Sequence, residues 1–287
     1  MTITRFAPSP TGRLHLGHAY SALISHDFAH AMGGRFLLRI EDIDAGRSRP
    51  EHVSGIIEDL AWLGLHHDGE PVFQSERFPI YQKALDRLRD EALIYPCFCT
   101  RAEIATEIAA SASAPHGPDG PVYPGTCRRL SPSERERRIK DEAHAWRIDM
   151  TEAGQRTGAL EWTDHGRSIA ARPDIFGDVI LARKDPPTSY HLAVVIDDDA
   201  QGITDVVRGN DLFDATHIHR LLQALLGLST PAYHHHALLT DAAGNRLAKR
   251  AGSPAIETLR TAGADPILLT GDLRQGRLPV GYRSDAA

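Results

Sequence analysis

The sequence has few cysteines, no long apolar stretch and no excess of positive charge. Its three cysteines are an odd number in a chain of 287 residues, so they do not form the disulfide framework of a small secreted domain. No hydrophobic run approaches the about 20 residues that a membrane helix needs, and the first residues lead directly into an apolar strand pattern instead of a signal peptide. The net charge of -6 argues against a protein that coats DNA. We therefore expect a cytoplasmic protein whose partners include neither DNA nor a membrane.

The hydrophobic pattern predicts strands that alternate with helices. Hydrophobic residues make up 41% and charged residues 24% of the chain, values typical of a globular protein with a substantial core. The predicted strands are residues 3–7, 35–40, 192–196 and 204–211, and the predicted helices are 15–32, 50–63, 79–93 and 214–227. Residues 145–183 have the short strand pattern of a small inserted module, and residues 253–287 are expected to hold at most one short helix.

Residues 5–18 predict a strand, a tight turn and the start of a helix. In a parallel α/β sheet, such a turn presents backbone N–H groups and a positive helix end to an anion. His15 and His18 lie three residues apart on one helical face, so both can donate to phosphate oxygens. Gly17 leaves room for a flat base. The alternative is a glycine packing point between two surface histidines.

A carboxylate follows the predicted strand 35–40. Glu41 ends this strand, and the carboxyl ends of parallel strands border the crevice where such sheets bind ligands. Glu41 is therefore a candidate partner for a substrate ammonium group. The alternative is that the acidic residues here only cap the next helix.

Three cysteines within about thirty residues suggest a metal site. Cys97 and Cys99 are two residues apart, and Cys127 follows a loop rich in proline, glycine, serine and alanine. Three thiolates suit a structural zinc site that lacks one ligand. On chemistry alone we favour His116 as the fourth ligand, with Tyr123 a less usual choice. Buried cysteines without a metal are the alternative.

Three further groups of polar residues have interpretations of their own. The consecutive histidines 234–236 would alternate between the faces of a strand and cannot all bind one metal, so we interpret them as structural. The mixed charges of residues 128–140 are typical of a solvated helix. The cations of residues 246–250 lie on a glycine-containing loop after a strand, where they could stabilise developing phosphoryl charge. The alternative is a plain basic loop.

Taken together, these motifs resemble the glutamyl branch of the class I aminoacyl-tRNA synthetases over residues 3–252. Residues 15–18 (His-Leu-Gly-His) are similar to the HIGH box of that family, and residues 246–250 (Arg-Leu-Ala-Lys-Arg) to its KMSKS loop. The flanking matches are more specific, and they are 5–12 (Arg-Phe-Ala-Pro-Ser-Pro-Thr-Gly), 39–44 (Arg-Ile-Glu-Asp-Ile-Asp), 74–77 (Gln-Ser-Glu-Arg), 95–100 (Tyr-Pro-Cys-Phe-Cys-Thr) and 205–211 (Asp-Val-Val-Arg-Gly-Asn-Asp). The loop departs from the family pattern at Arg246, Ala248 and Arg250, but Lys249 keeps its charge.

The resemblance implies an α/β fold, a Rossmann-type parallel sheet of the class I synthetases with an inserted zinc-containing module similar to an acceptor-binding domain. It also implies that no anticodon-binding domain follows the loop. The expected division is residues 1–94 and 188–252 for the two halves of the catalytic domain, 95–187 for the inserted module and 253–287 for a short tail.

The resemblance also implies a reaction. Ordinary members of this group attach glutamate to the 3′ end of a tRNA, whereas a truncated branch transfers it to the queuosine base in the anticodon loop of tRNA(Asp). The implied partners are ATP, L-glutamate and tRNA(Asp) carrying queuosine. The first alternative is a truncated glutamyl-tRNA synthetase that acts on the 3′ end of a tRNA. A nucleotidylyltransferase of the His-x-Gly-His type and an inactive RNA-binding relative are more distant alternatives.

Site residues follow from the same resemblance. ATP would be bound and activated by His15, Gly17, His18 and Lys249, with Mg²⁺ on the pyrophosphate. Arg5 and Arg208 can bind carboxylates with two N–H groups each, and Glu41 suits the ammonium group. The full set implied for glutamate is Arg5, Phe6, Ala7, Pro8, Ser9, Glu41, Tyr190 and Arg208. For one structural Zn²⁺ per chain, the resemblance replaces His116 by Tyr123, and the ligands become Cys97, Cys99, Tyr123 and Cys127.

Overall fold

A parallel sheet built from both halves of the chain carries the fold. The computed structural model describes residues 1–110, 116–118, 120–241, 255–278 and 282–284. Its helices are α1 (Leu16–Ala31), α2 (Pro50–Trp62), α3 (Phe78–Asp90), α4 (Arg101–Ala110), α5 (Pro132–Asp141), α6 (Met150–Thr157), α7 (Tyr190–Ala200), α8 (Ala215–Leu226), α9 (Ile256–Thr261) and α10 (Pro266–Arg274). Its first strands are β1 (Ile3–Phe6), β2 (Arg35–Ile40), β3 (Val72–Phe73), β4 (Ile94–Cys97), β5 (His116–Gly117), β6 (Gly120–Pro121) and β7 (Ala145–Ile148). The later strands are β8 (Glu161–Asp164), β9 (Arg167–Ala170), β10 (Ile180–Ala182), β11 (Asp205–Gly209), β12 (Ala232–His236), β13 (Leu239–Asp241) and β14 (Tyr282–Ser284).

The parallel strands form two groups that lie side by side. In the first group β2 pairs in parallel with β1 and β3. In the second, β12 pairs in parallel with β11 and β8, and β9 completes the edge in antiparallel direction. The backbone N–H of Thr204 donates to the carbonyl of Ile3 at 3.0 Å, so β11 runs beside β1. The carboxyl ends of β1, β2, β11 and β12 therefore face one common crevice.

A separate antiparallel sheet comes from the middle of the chain. Its strand order is β10-β7-β4, and the short β5 and β6 pair with each other. The largest buried apolar cluster joins this sheet to α3, α7 and α8. The strands β8 and β9 also come from the middle of the chain, but they extend the parallel sheet instead. The division into domains that we expect from the sequence stays a prediction.

Most predicted elements of the catalytic halves are confirmed. The strand at 35–40 has the predicted bounds, and α2 begins with proline at its first position, where the missing N–H costs nothing. Helix α8 ends at Gly227, which has a φ of 67°, the left-handed conformation that glycine adopts readily. Residues 234–236 lie in β12, and α5 has no buried residue, as a solvated helix should.

The strand predicted at residues 192–196 is wrong, because these residues lie in helix α7. Ser189 caps the helix by accepting a hydrogen bond from the N–H of Leu192 at 3.4 Å. The five apolar residues are all buried, and a continuous apolar run has no period that separates a buried helix from a buried strand.

The tail holds more structure than the single short helix expected. Helices α9 and α10 both lie after residue 253, and β14 pairs with β13. Ile256 and Leu273 are buried in the apolar cluster that also contains Leu14 and Leu16. Tertiary packing stabilises these helices, since short segments are marginal alone. Among the described residues, no helix is both long and apolar enough to cross a membrane.

Candidate active site

The start of α1 places two imidazole rings against each other. His15 is the cap residue of the helix, and its Nδ1 accepts from the N–H of Gly17 at 3.1 Å. The N–H of His15 in turn donates to Nδ1 of His18 at 3.2 Å, and the two rings stack with centroids 3.7 Å apart. Because both Nδ1 atoms accept, the neutral rings carry their protons on Nε2. The predicted pair therefore comes together as two N–H donors at a helix N-terminus.

The segments on both sides of the predicted catalytic loop, residues 246–250, pack against the start of α1. Ala255 forms a β-bridge with His15, and the N–H of Ile256 donates to the carbonyl of Leu14 at 2.8 Å. Leu239 in β13 joins the same apolar cluster. Lys249 itself lies outside the described residues, as do Arg246 and Ala248.

Arg5 is held at the end of β1 by a carboxylate from α7. Its Nε donates to Asp198 Oδ1 at 2.9 Å, and its Nη2 approaches Oδ2 at 3.4 Å. Arg39, fully buried in β2, donates to the same Oδ1 at 2.8 Å. Burial alone would raise the pKa of Asp198, but the charges of Arg5 and Arg39 outweigh it and lower that pKa. Within the described part of the chain, Nη1 of Arg5 has no hydrogen-bond partner, so it keeps two N–H groups for a ligand.

Glu41 lies beside these cations at the end of β2. Its side chain is 10% exposed and approaches Arg39 Nη2 at 3.5 Å, and its N–H donates to the carbonyl of Pro8 at 3.0 Å. Burial raises the pKa of Glu41, and the charges of Arg39 and Arg5 offset only part of that rise. The nearby cations therefore do not fully offset the cost of burying the ionised carboxylate. A further cation bound beside Glu41 would offset the rest.

The remaining residues of the predicted β1 segment form the wall between β1 and the turn. Phe6 and Pro8 are buried, Ala7 is half-buried and Ser9 is exposed, with its carbonyl accepting from the N–H of Thr11 at 2.8 Å. The segment thus leads from the cation Arg5 to the turn before α1.

All five N–H donors of Arg208 have protein partners. Its Nε donates to His235 Nε2 at 3.2 Å, its Nη1 to Tyr190 Oη and His219 Nδ1 at 3.3 Å each, and its Nη2 to the carbonyl of Leu212 and Thr216 Oγ1 at 3.0 and 2.6 Å. The residue is 5% exposed. Arg208 is therefore a fixed buried charge whose protons are already shared, and Tyr190 is the hydroxyl that it polarises.

The histidine on α8 continues this network to α7. His219 accepts from Arg208 on Nδ1, so its proton lies on Nε2, 3.3 Å from Nδ1 of His191. His191 must then carry its own proton on Nε2. Burial, followed by the charge of Arg208, lowers the pKa of His219 well below its usual value and that of His191 to about 4. Both rings are neutral at pH 7, and the tautomer of each is set by its neighbour.

The four predicted zinc ligands lie together. The Sγ atoms of Cys97, Cys99 and Cys127 lie within 4.8 Å of one another, and Tyr123 Oη is 3.5 Å from both Cys97 and Cys99. A tetrahedral zinc with Zn–S bonds of about 2.3 Å would hold its sulfur ligands about 3.8 Å apart. We call these four residues the cysteine cluster, and its spacing and soft donors fit zinc. The side chain of His116 lies outside the described residues.

A cavity of about 350 Å³ separates the cysteine cluster from α7. Its wall includes Tyr123 on one side and Tyr190 and His191 on the other. Because Tyr190 Oη also contacts Arg208, the cavity adjoins the group of cations described above.

Sequence reasoning missed the residues that hold the predicted ones in place. These residues are Arg39, Asp198, Thr216, His219 and His235. One signal was present, because Arg39 is a charged residue between the apolar Leu38 and Ile40 of β2, and such a residue is buried only with a partner. Its partner is 159 residues away, and no local pattern identifies it.

Comparison with known proteins identifies the family. The model of the tRNA synthetases class I (E and Q), catalytic domain, matches residues 1–279. A protein of Rhodobacter capsulatus named glutamyl-Q tRNA(Asp) synthetase is 51% identical over 270 residues, which cover 92% of this chain and 96% of that protein. A protein of the same name from Symbiobacterium thermophilum is 43% identical, with 95% and 85% covered.

Solved structures support the same relation. A glutamate tRNA ligase of Elizabethkingia meningosepticum, crystallised in complex with its amino acid, superposes with a TM-score of 0.77 at 26% identity and covers 95% of this chain. The glutamate–tRNA synthetase of Elizabethkingia anophelis superposes with a TM-score of 0.79 at 27% identity. The chain spans 60% and 61% of the lengths of these two enzymes. The chain thus belongs to the class I tRNA synthetases of the E and Q type, and its parallel α/β sheet has their catalytic fold.

Proposed function

We propose that the chain is a ligase that activates L-glutamate with ATP and transfers it to the queuosine base in the anticodon loop of tRNA(Asp). The observation that carries the proposal is the crevice at the carboxyl ends of the strands. The buried cations Arg5 and Arg208 and the carboxylate of Glu41 lie in this crevice. The stacked histidines at the start of α1 border it. The choice of acceptor rests on the names of relatives that match nearly the whole chain. Because the proposed substrates ATP and tRNA(Asp) are cytoplasmic, we also propose that the protein acts in the cytoplasm.

The first step would join glutamate to AMP. A carboxylate oxygen of glutamate attacks the α-phosphorus of ATP, and the bond to the β-phosphate breaks as pyrophosphate leaves with its electron pair. His15 and His18 present their Nε2–H donors where the phosphates would lie, and the N-terminus of α1 adds its positive dipole end. Gly17 would admit the adenine ring, and Lys249 would stabilise the charge on the phosphoryl oxygens. Mg²⁺ bound with ATP would neutralise the pyrophosphate.

Glutamate recognition would divide between two unlike arginines. Arg5 has N–H groups on Nη1 for a carboxylate, whereas Arg208 acts through its fixed charge and through Tyr190 Oη, which accepts from it and can donate its own proton. Glu41 would bind the ammonium group, and that added cation would lower its raised pKa. The segment Phe6, Ala7, Pro8 and Ser9 would form the wall along the substrate.

The second step would transfer glutamate to the tRNA. A hydroxyl oxygen of the queuosine cyclopentene ring attacks the activated carbonyl carbon, and AMP leaves with the electron pair of the broken bond. We further propose that the cysteine cluster holds one structural Zn²⁺, because three thiolates and a phenol oxygen converge there. The metal would keep residues 95–187, the inserted module, in position to contact the RNA.

One assay separates the acceptors. Radiolabelled glutamate is offered with ATP to tRNA(Asp) with queuosine, to tRNA(Asp) without it, and to tRNA(Glu). We expect label on the queuosine-containing tRNA alone. Label at the 3′ end of any tRNA would instead support a glutamyl-tRNA synthetase, the alternative that the likeness to the glutamate tRNA ligases favours. The linkage is identified by periodate, which oxidises a free 3′-terminal ribose but not one that carries glutamate.

A further inference from the structure

The cavity between α7 and the cysteine cluster has a wall that offers mainly hydrogen-bond donors. Its volume of about 350 Å³ lies at the small end of ligand pockets, and its rings and aliphatic side chains give it apolar surfaces. The carboxylate of Asp178 also lines it. Its two oxygens, however, already accept from Tyr95, Met150 and Arg128.

Arg147 is the cation of this wall. It is 8% exposed, and its Nη1 donates to the carbonyl of Asp178 at 2.7 Å. Its buried Nε has no hydrogen-bond partner within the described part of the chain, and no described residue accepts from its Nη2. The guanidinium carbon lies 3.9 Å from the centroid of the Tyr123 ring, which fixes its plane. A buried cation with unused donors at a cavity wall indicates that an acceptor group binds there.

His191 supplies a donor from the opposite wall. The chain of hydrogen bonds from Arg208 through His219 leaves its proton on Nε2, and the lowered pKa keeps the ring neutral. Tyr190, the next residue, contacts Arg208 and also lines the cavity. A ligand in the cavity would therefore lie directly beside the glutamate pocket.

We infer that this cavity receives the acceptor nucleobase of the tRNA, and that Arg147 and His191 are specificity-determining donors to the acceptor atoms of that base. The inference rests on the proposed function and adds to it the place where the second substrate binds. A planar ring that bears carbonyl and ring-nitrogen acceptors matches apolar walls with two donors on opposite sides. Arg183, exposed at the mouth of the cavity, is placed to meet the phosphate that accompanies the nucleoside.

The test separates base binding from glutamate activation. Arg147→Met keeps much of the side chain that packs on Tyr123 but removes the donors, and His191→Leu removes the other donor, whereas His191→Gln keeps an N–H. Steady-state transfer to queuosine-containing tRNA(Asp) gives KM and kcat, and glutamate-dependent ATP–pyrophosphate exchange, measured with unmodified tRNA(Asp) present, reports activation. We expect Arg147→Met and His191→Leu to raise the KM for tRNA at least tenfold, as the loss of a strong hydrogen bond does. Exchange should stay within about twofold in Arg147→Met. His191→Leu also removes the acceptor of His219 Nε2–H, so only its KM for tRNA is compared, and His191→Gln, which restores an acceptor and an N–H, should recover most of the loss.

Two measurements keep the outcome clear. Zinc content and thermal unfolding show whether Arg147→Met still folds, and His191→Leu tests the same cavity from an element outside the inserted module. An unchanged KM for tRNA in both variants would overturn the inference, as would an equal loss in exchange and transfer in Arg147→Met. If the unaltered protein charges a 3′ end instead of queuosine, the proposed function fails. The KM values for that other tRNA then test whether the cavity holds its terminal base.

Discussion

Replacing Asp198 by asparagine is the most direct test of the arrangement around Arg5. The Asp198 side chain is 6% exposed, and those of Arg5 and Arg39 are 4% and 0% exposed. One carboxylate thus neutralises two guanidinium groups that have little access to water. Asparagine has nearly the same shape and keeps one acceptor oxygen, so the change removes the charge with little change of volume.

The expected loss of stability follows from what the substitution leaves behind. Removing one partner of a buried ion pair costs about 3–5 kcal/mol, because the remaining charge stays desolvated. Glu41, 3.5 Å from Arg39, compensates in part, so we expect a loss of about 3 kcal/mol in the free energy of unfolding. For a chain of this size that corresponds to a decrease in Tm of roughly 6–12 °C. Arg5 would also lose its orientation, and the KM for glutamate in pyrophosphate exchange should rise at least tenfold.

Urea unfolding and thermal unfolding measure the stability, and exchange at varied glutamate concentration measures KM. Asp199→Asn is the matched control. Asp199 lies on the same helix and is half-buried. Among the described residues, its carboxylate accepts only from the N–H and hydroxyl of Ser229, at 2.9 and 2.7 Å. The asparagine oxygen can accept both bonds, and no cation loses its partner, so less than about 1 kcal/mol is expected. An equally small loss for Asp198→Asn would refute the reasoning.

Three further predictions concern charge, pH and metal. The KM for glutamate should rise as the pH falls through the raised pKa of Glu41, because protonation removes the negative partner of the ammonium group. Glu41→Gln should show a high KM that does not depend on pH in this way. Burial raises the pKa of Asp59 to about 6 despite the charge of Arg260, so the stability from its protonated form is present below about pH 4 and is lost as the pH rises through 6. Asp59→Asn should therefore raise the free energy of unfolding by about 2 kcal/mol at pH 7.5 but little at pH 4, and equal effects at both pH values would contradict this. Chelation should release one zinc per chain, measured by atomic absorption. It should abolish transfer to tRNA, while pyrophosphate exchange keeps more than half of its rate. A loss of both activities together would argue against a purely structural metal in the inserted module.

The part of the site around α1 could be predicted because its signals are local. A strand, a turn with two prolines and the start of a helix capped by His15 lie within sixteen residues. The capping bonds of His15 and His18 span only two and three positions. The cysteine cluster could also be predicted from the sequence, since the spacing of three thiols predicts a metal site. Tyr123 was harder to predict as a ligand, because a tyrosine has no preferred spacing in zinc sites. The resemblance to the family was needed to prefer it to His116.

The protein partners of the two arginines could not be predicted, because they come from other elements of the fold. Both appear in the sequence as cations at the end of an apolar strand, and both therefore look like bidentate carboxylate ligands. Asp198, 193 residues after Arg5, uses only Nε and Nη2. Residues from β12, α7 and α8, together with the carbonyl of Leu212 in the turn before α8, use every donor of Arg208. Helix α7 brings Asp198 and Tyr190 to the crevice, and its apolar run has no period by which a helix could be recognised. Since a saturated guanidinium can bind a carboxylate only by giving up an existing hydrogen bond, we propose that Arg5 would contact glutamate directly and that Arg208 would contribute its charge from behind Tyr190.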